Sequence, residues 1–218
     1  MSLRIAIADD HPLVRDGLRL AIETSGRQIV IVAEANDGVE LLKMARRTIA
    51  DIYIIDITMP NMNGINAARE LLKISPEAKI IMLSLHGEKP LLEEAFAVGA
   101  RGYLTKETAG CDVVEALMEV QAGRQYIAPQ VAQFCPDITL SPKIRRAKHS
   151  QGRSVLTPQE RRVLQLLAEG KSNKEIAAAL DVTTHTVHTH RNRAMAKLNI
   201  HKQADLVRYA VKAGIAKL

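Results

Sequence analysis

The sequence predicts two domains: an α/β domain built on a parallel sheet at residues 1–124, then a small all-α domain at residues 154–218, with a linker at 125–153. Three observations predict this. Five short apolar runs rich in Ile and Val alternate with helical patterns as far as about residue 123. Two helix-opening signatures, Thr157-Pro158-Gln159-Glu160 and Ser172-Asn173-Lys174-Glu175, punctuate the C-terminal part. The charge also changes sign along the chain. Residues 1–127 hold 14 basic and 18 acidic side chains, residues 128–153 hold 5 and 1, and residues 154–218 hold 11 and 5. An acidic part joined to a basic part implies two jobs, and the basic part is the candidate for nucleic acid.

The strand runs are Arg4–Ala8, Ile29–Ala35, Asp51–Asp56, Lys79–Leu85 and Gly102–Thr105. The first four are nearly continuous rather than alternating, as strands buried on both faces of a parallel sheet are. Helical patterns at Leu13–Glu23, Val39–Arg47, Ile65–Ile74, Pro90–Val98 and Asp112–Ala122 connect them. Strand–helix alternation implies right-handed βαβ units. Periodicity alone does not give the strand order.

Composition sets the class. Of 218 residues, 47% are hydrophobic and 25% charged, the balance of a globular protein rather than a disordered or fibrous one. No apolar run approaches the ~20 residues of a membrane span. Two cysteines, Cys111 and Cys135, do not make a disulfide framework, which suits a reducing cytoplasm. With no Trp and 3% aromatics, stacking platforms for single strands are not expected.

Asp9 and Asp10 follow the first strand, Asp56 ends the third, Ser84 ends the fourth and Lys106 follows the fifth. In open parallel sheets the ligand crevice lies beyond the carboxyl ends of the strands. All five residues therefore converge on one rim. Singly they have bland readings: Asp10 as a helix cap, Asp56 as the start of a turn. Together, three carboxylates, a hydroxyl and a lysine suit phosphoryl chemistry. Mg²⁺ fits such a set, being a hard cation that takes oxygen ligands and leaves room for a phosphate. Lys106 then offers a point charge to a phosphoryl oxygen, and Ser84 a hydrogen bond. One carboxylate can attack phosphorus and form an aspartyl phosphate.

With Asp56-Ile57-Thr58-Met59-Pro60-Asn61-Met62-Asn63-Gly64 and Gly102-Tyr103-Leu104-Thr105-Lys106 added, this part resembles the receiver domain of bacterial two-component response regulators, from the first strand to about Gly123. The resemblance implies a five-stranded flavodoxin-like sheet of order 2-1-3-4-5. It makes Asp56 the phosphoacceptor. It assigns Mg²⁺ to Asp10, Asp56 and the Thr58 carbonyl, with Asp9 direct or through water. Ser84 and Tyr103 become a switch pair, the ring following the hydroxyl inward, and Lys106 grips the phosphoryl group.

In the linker, Pro129, Pro136 and Pro142 interrupt any periodicity, and Lys143-Ile144-Arg145-Arg146-Ala147-Lys148 is a basic run. A short helix at Pro129–Phe134 is compatible with the pattern.

Beyond it, the first capping box opens a helix that ends at Gly170, and the second opens a helix through Leu180. Asp181-Val182 turns, and Thr183 caps a third helix at about Thr184–Leu198. A fourth spans about Lys202–Ala213. Short helix, turn and longer basic helix make a helix-turn-helix pattern. On the third helix, Val187, Ala194 and Leu198 share the buried stripe, leaving His185, His188, Thr189, Asn192 and Arg193 on a polar face rich in donors. Such a face suits the major groove. A zinc reading of the histidines fails on geometry, since His190 lies well around the helix and no Cys is near.

Leu156-Thr157-Pro158, Glu160, Gly170, Ser172 to Ala177, Thr186-Val187, His190 and Lys197-Leu198 resemble the LuxR-type helix-turn-helix, over about Leu156 to Gly214. Together the two parts look like a regulator of the NarL/FixJ family. The resemblance implies base contacts from His188, Thr189 and Asn192. It implies phosphate contacts from Lys174, Thr186, Arg191 and Arg193, and a dimer surface on the fourth helix. Gln159 stands where the family has Arg, Ala194 where a larger aliphatic residue is usual, and His188 is unusual at a base-reading position.

The expected protein is a phosphorylation-controlled, sequence-specific transcription regulator and not an enzyme. Its expected partners are double-stranded DNA, a sensor histidine kinase, RNA polymerase and a second copy of itself on DNA. In the resting state the receiver is expected to cover the recognition helix. Two other classes compete with this reading. An aspartyl-phosphate phosphatase wants a second acid where Thr58 stands. A regulator gated by another ligand does not use the acidic pocket.

Overall fold

The structure is a computed structural model describing residues 2–85, 87, 89–132, 156–200 and 202–216. The basic run at 143–148, Cys135 and most of the linker lie outside the described residues.

The strands are β1 (Leu3–Ala8), β2 (Ile29–Ala35), β3 (Ile52–Asp56), β4 (Lys79–Ser84), β5 (Gly102–Thr105) and β6 (Tyr126–Ile127). They form one parallel sheet in the order β2-β1-β3-β4-β5-β6. Helices α1 (Pro12–Thr24), α2 (Gly38–Ala45), α3 (Gly64–Ile74), α4 (Lys89–Val98) and α5 (Ala109–Gln121) make the crossovers. Every residue of β3 is buried, and Ile5, Ile7, Ile52, Ile54, Ile81 and Leu83 form the centre of the core. A fully buried side chain of this size stabilises the fold by about 1.5–3 kcal/mol.

The five strands expected from the sequence are in the order 2-1-3-4-5, but a sixth extends the sheet. Tyr126 and Ile127 pair with Gly102 and Tyr103. Helix α6 (Pro129–Ala132) follows, burying Ala128 and Val131. Residues 125–132, which the sequence reading gave to the linker, thus pack on the α/β domain. Two strand residues are too few to carry a periodicity.

Gly64 opens α3 where the chain doubles back onto β3. A Cβ there would lie 2.1 Å from the Asp56 carbonyl oxygen. Only glycine lets the β3–α3 loop press this closely against the strand end.

The C-terminal domain has α7 (Pro158–Ala168), α8 (Asn173–Leu180), α9 (Thr184–Leu198) and α10 (Gln203–Lys212). Both capping boxes form, with Thr157–Glu160 and Ser172–Glu175 bonded reciprocally. Asp181 and Asn199 end α8 and α9 in the left-handed conformation. Val163, Leu164, Leu167, Ile176, Val187, Ala194, Leu206 and Ala210 make the second core.

Glu160 ties this core together. Its carboxylate accepts from the Thr157 N–H and from Lys197 Nζ on α9, both at 2.7 Å. Burial opposes its ionisation, yet the bonds from Lys197 and Thr157 outweigh burial and hold the carboxyl below its ordinary range. A folded pKa below the unfolded one adds stability above the unfolded value and loses it as pH falls through the folded value. Glu160→Gln keeps the cap but loses the charge pairing. It is expected to cost about 1 kcal/mol at neutral pH, with the difference from wild type closing below about pH 4. Urea unfolding followed by far-UV circular dichroism at the two pH values checks this.

The two domains touch through α7. Gln165, fully buried, donates from Nε2 to the Met59 carbonyl at 2.7 Å, and its Oε1 accepts from the Asn63 N–H at 2.9 Å. The Asn61 N–H donates to Glu169, and Arg161 pairs with Glu94 on α4. The reading face of α9 is not covered: His185, His188, Asn192 and Arg193 are exposed. The expected occlusion of the recognition helix is therefore not the arrangement observed, because the receiver holds Arg161, Gln165 and Glu169 of α7 and its end instead.

Candidate functional site

Four strand ends build the acidic pocket. Asp9 leaves β1 fully buried, its N–H bonded to the Ala35 carbonyl. Asp10 follows, half-buried. Asp56 ends β3 at 1% exposure, and its Oδ1 accepts from the Thr58 N–H at 3.1 Å. Ser84 ends β4 buried, its carbonyl accepting the Lys106 N–H. Tyr103 on β5 is fully buried.

Lys106 reaches from beyond β5 into the carboxylates. Its Nζ lies 2.7 Å from Asp9 Oδ2 and 2.7 Å from Asp56 Oδ2, with the side chain 5% exposed. One ammonium among Asp9, Asp10 and Asp56 leaves the cluster short of two positive charges. A divalent cation supplies them. The ligand atoms of Asp9, Asp10, His11 and Asp56 lie within 4.8 Å of one another, so the donor set fits a single hard cation. Asp10 is no helix cap, because His11 is the N-cap residue of α1 and its side chain makes no cap bond.

His11 was missed by sequence reasoning. Its N–H donates to Asp9 Oδ1 at 2.8 Å, and its Nδ1 lies 2.9 Å from Asp10 Oδ1 and 3.2 Å from Lys106 Nζ. The signal was its place directly after the acidic pair.

The second cluster sits on the helix-turn-helix. His188, Asn192 and Arg193 are exposed on α9, Lys174 is exposed on α8, and Thr186, Thr189 and Arg191 are half-buried. The two threonine hydroxyls are partly engaged. That of Thr186 lies 2.9 Å from Thr183 Oγ1 at the helix cap, and that of Thr189 donates to the His185 carbonyl. Arg191 was expected on phosphate, yet its Nη2 lies 3.0 Å from His188 Nδ1. His188 Nε2 lies 3.2 Å from the Asn173 carboxamide. Asn173 belongs to the second capping box and to the helix-turn-helix motif, with no base or phosphate contact assigned to it from sequence.

An α/β sheet with an acidic pocket and a buried lysine at its carboxyl edge, tied to a helix-turn-helix, defines a signal-receiving domain joined to a nucleic-acid-binding one. Family comparison agrees. Residues 5–118 match the response regulator receiver domain, and residues 154–210 match the bacterial regulatory proteins of the luxR family. The chain belongs to the response regulators that carry a LuxR-type helix-turn-helix, a family of transcription regulators rather than enzymes. It is 33% identical to response regulator UvrY of Escherichia coli (strain K12) over 98% of this chain and 95% of that one. Against response regulator GacA of Pseudomonas aeruginosa the identity is 31%, over 98% and 97%. RcsB from Salmonella enterica serovar Typhimurium, solved bound to promoter P1flhDC in the presence of the phosphomimetic BeF3-, superposes with a TM-score of 0.67. Its identity is 26%, over 97% of this chain and 100% of that one. Among the described residues no helix is long and apolar enough to cross a membrane.

Proposed function

We propose that this chain is a phosphorylation-controlled, sequence-specific DNA-binding transcription regulator whose phosphoacceptor is Asp56. The observation that carries the reading is the buried Asp56 carboxylate, held at 2.7 Å by Lys106 beside Asp9. A phosphohistidine of a sensor kinase, or a small acyl phosphate, is the donor. An Asp56 carboxylate oxygen forms the new bond to phosphorus, while the bond from phosphorus to the donor breaks and the donor keeps its electron pair. Asp10, Asp56 and the Thr58 carbonyl, with Asp9 in support, would hold Mg²⁺, which would supply positive charge against the transferred group.

Lys106 turns from Asp56 to a phosphoryl oxygen, and the Ser84 hydroxyl donates to another. Tyr103, buried on β5, is the aromatic partner whose ring follows the Ser84 hydroxyl in this reading. The added charge of roughly −1.5 to −2 pulls on the β3–α3 loop. That loop carries Thr58 next to Met59, whose carbonyl Gln165 holds. Phosphorylation thereby loosens the small domain, which binds DNA as a dimer through α10 with α9 in the major groove. Lys174, Thr186 and Arg193 face phosphates, and His188, Thr189 and Asn192 face bases. The promoter-bound RcsB structure supports DNA as the partner. RNA polymerase is the next partner on DNA, and the setting is the bacterial cytoplasm.

The test is intact mass after incubation with Mg²⁺ and a small acyl phosphate. The wild type is expected to gain one phosphoryl group and Asp56→Asn none. A wild type that gains nothing from any donor, or a gain that survives in Asp56→Asn, contradicts the assignment.

A further inference from the structure

We propose that residues 126–132 form a strap that reads the switch pair, seated while Asp56 is free and released once it is phosphorylated. The proposal rests on the reading of Asp56, Ser84 and Tyr103 given above. The strap is β6, Ala128 and α6. Its two anchor points adjoin the two switch residues. On one side it pairs with Tyr103 itself. Ile127 lies opposite Tyr103, whose carbonyl accepts from the Ala128 N–H at 3.0 Å, and the Tyr126 N–H donates to the Arg101 carbonyl at 2.9 Å. On the other side the buried Val131 packs on Gly87, in the loop that leaves Ser84. A Cβ on Gly87 would lie 3.0 Å from Val131 Cγ2, so glycine lets this loop press close against the strap.

The hold is thin. A strand of two residues and a helix of four bury only Tyr126, Ala128 and Val131. Segments with so few buried groups lie at the low end of a fold's local stability. The Ser84 hydroxyl, turning to the phosphoryl group, draws the Gly87 loop from under Val131. The Tyr103 ring, following it, strains the β5 edge that holds Ala128. Both anchors then weaken together. Release turns the strap, residues 126–132, into tether and adds up to about 23 Å of reach at ~3.3 Å per residue. The small domain gains the slack to meet a second copy on DNA. Coupling of this kind is reciprocal: fixing the strap weakens whatever ligand favours its release.

The experiment fixes the strap reversibly in the full chain. The Cβ position of Gly87 lies 3.5 Å from Val131 Cβ, within the range a disulfide spans. Gly87→Cys with Val131→Cys, in a chain also carrying Cys111→Ser and Cys135→Ser, locks the strap when oxidised and frees it when reduced. The probe is the phosphomimetic beryllofluoride with Mg²⁺, titrated by calorimetry. Oxidation is expected to weaken its binding about five-fold or more, and reduction to restore it. In the wild type, the Tyr126 and Ala128 amides are expected to exchange hydrogen about ten-fold faster or more with beryllofluoride than without. Gln165→Leu, which removes a contact of the small domain and not of the strap, leaves those amides protected. Equal affinity in the oxidised and reduced forms overturns the coupling. Unchanged exchange in a wild type that binds beryllofluoride overturns the release. Fast exchange in Gln165→Leu without beryllofluoride also overturns the proposal, because domain docking and not the switch would then seat the strap. A wild type that binds no beryllofluoride overturns instead the phosphoacceptor reading beneath it.

Discussion

Lys106→Met is expected to destabilise the receiver by about 3 kcal/mol and to abolish retention of the phosphoryl group on Asp56. The two losses have one cause. Asp9 is fully buried and Asp56 is 1% exposed, and Lys106 is the cation that pairs with both. Removing it takes the ammonium away from two buried carboxylates and leaves their negative charges beside that of the half-buried Asp10. A cation that binds only the folded state offsets the loss by mass action. Mg²⁺ is therefore expected to raise the stability of Lys106→Met more than that of wild type. Urea unfolding with and without millimolar Mg²⁺ reads the first effect, and intact mass reads the second. Equal stability of variant and wild type without Mg²⁺ would mean the carboxylates do not depend on Lys106.

Gln165→Leu is expected to release the small domain. The change leaves the Met59 carbonyl and the Asn63 N–H without partners at a buried contact, each costing about 1–3 kcal/mol. That is comparable with the whole docking energy of a small interface. The variant should show a larger radius of gyration by small-angle scattering and faster protease cleavage of the linker. Its unphosphorylated form should bind DNA nearly as tightly as phosphorylated wild type. Because α9 is open in the docked state, the proposed restraint on DNA binding works through the hold on α7 and on the segment after α10, where Gly214 approaches Leu91, and not by shielding base-reading groups. An unchanged radius and cleavage rate would show that Gln165 does not hold the domains together.

The residues that were legible in the sequence are those whose pattern is local. Ile-rich runs gave the five long strands, and the two capping boxes placed α7 and α8 to within a residue or two. The pocket acids were legible because strand ends of a parallel sheet share one edge. What escaped depends on contacts across the chain. Gln165 sits between Leu164 and Leu166 as an ordinary polar helix residue, and only the receiver loop 102 residues away buries it. Tyr126 and Ile127 are a strand only because β5 presents a free edge. The His188–Arg191 pair is local, three residues apart on a helix. It went unread because an arginine beside a polar helix face suggests phosphate first.

The most direct test of the account is DNA affinity at fixed salt, measured on one preparation with and without phosphoryl transfer, beside Asp56→Asn. The account predicts that phosphorylation tightens binding to a selected operator about ten-fold or more, and that Asp56→Asn does not respond. Equal affinities for phosphorylated and unphosphorylated wild type would contradict it.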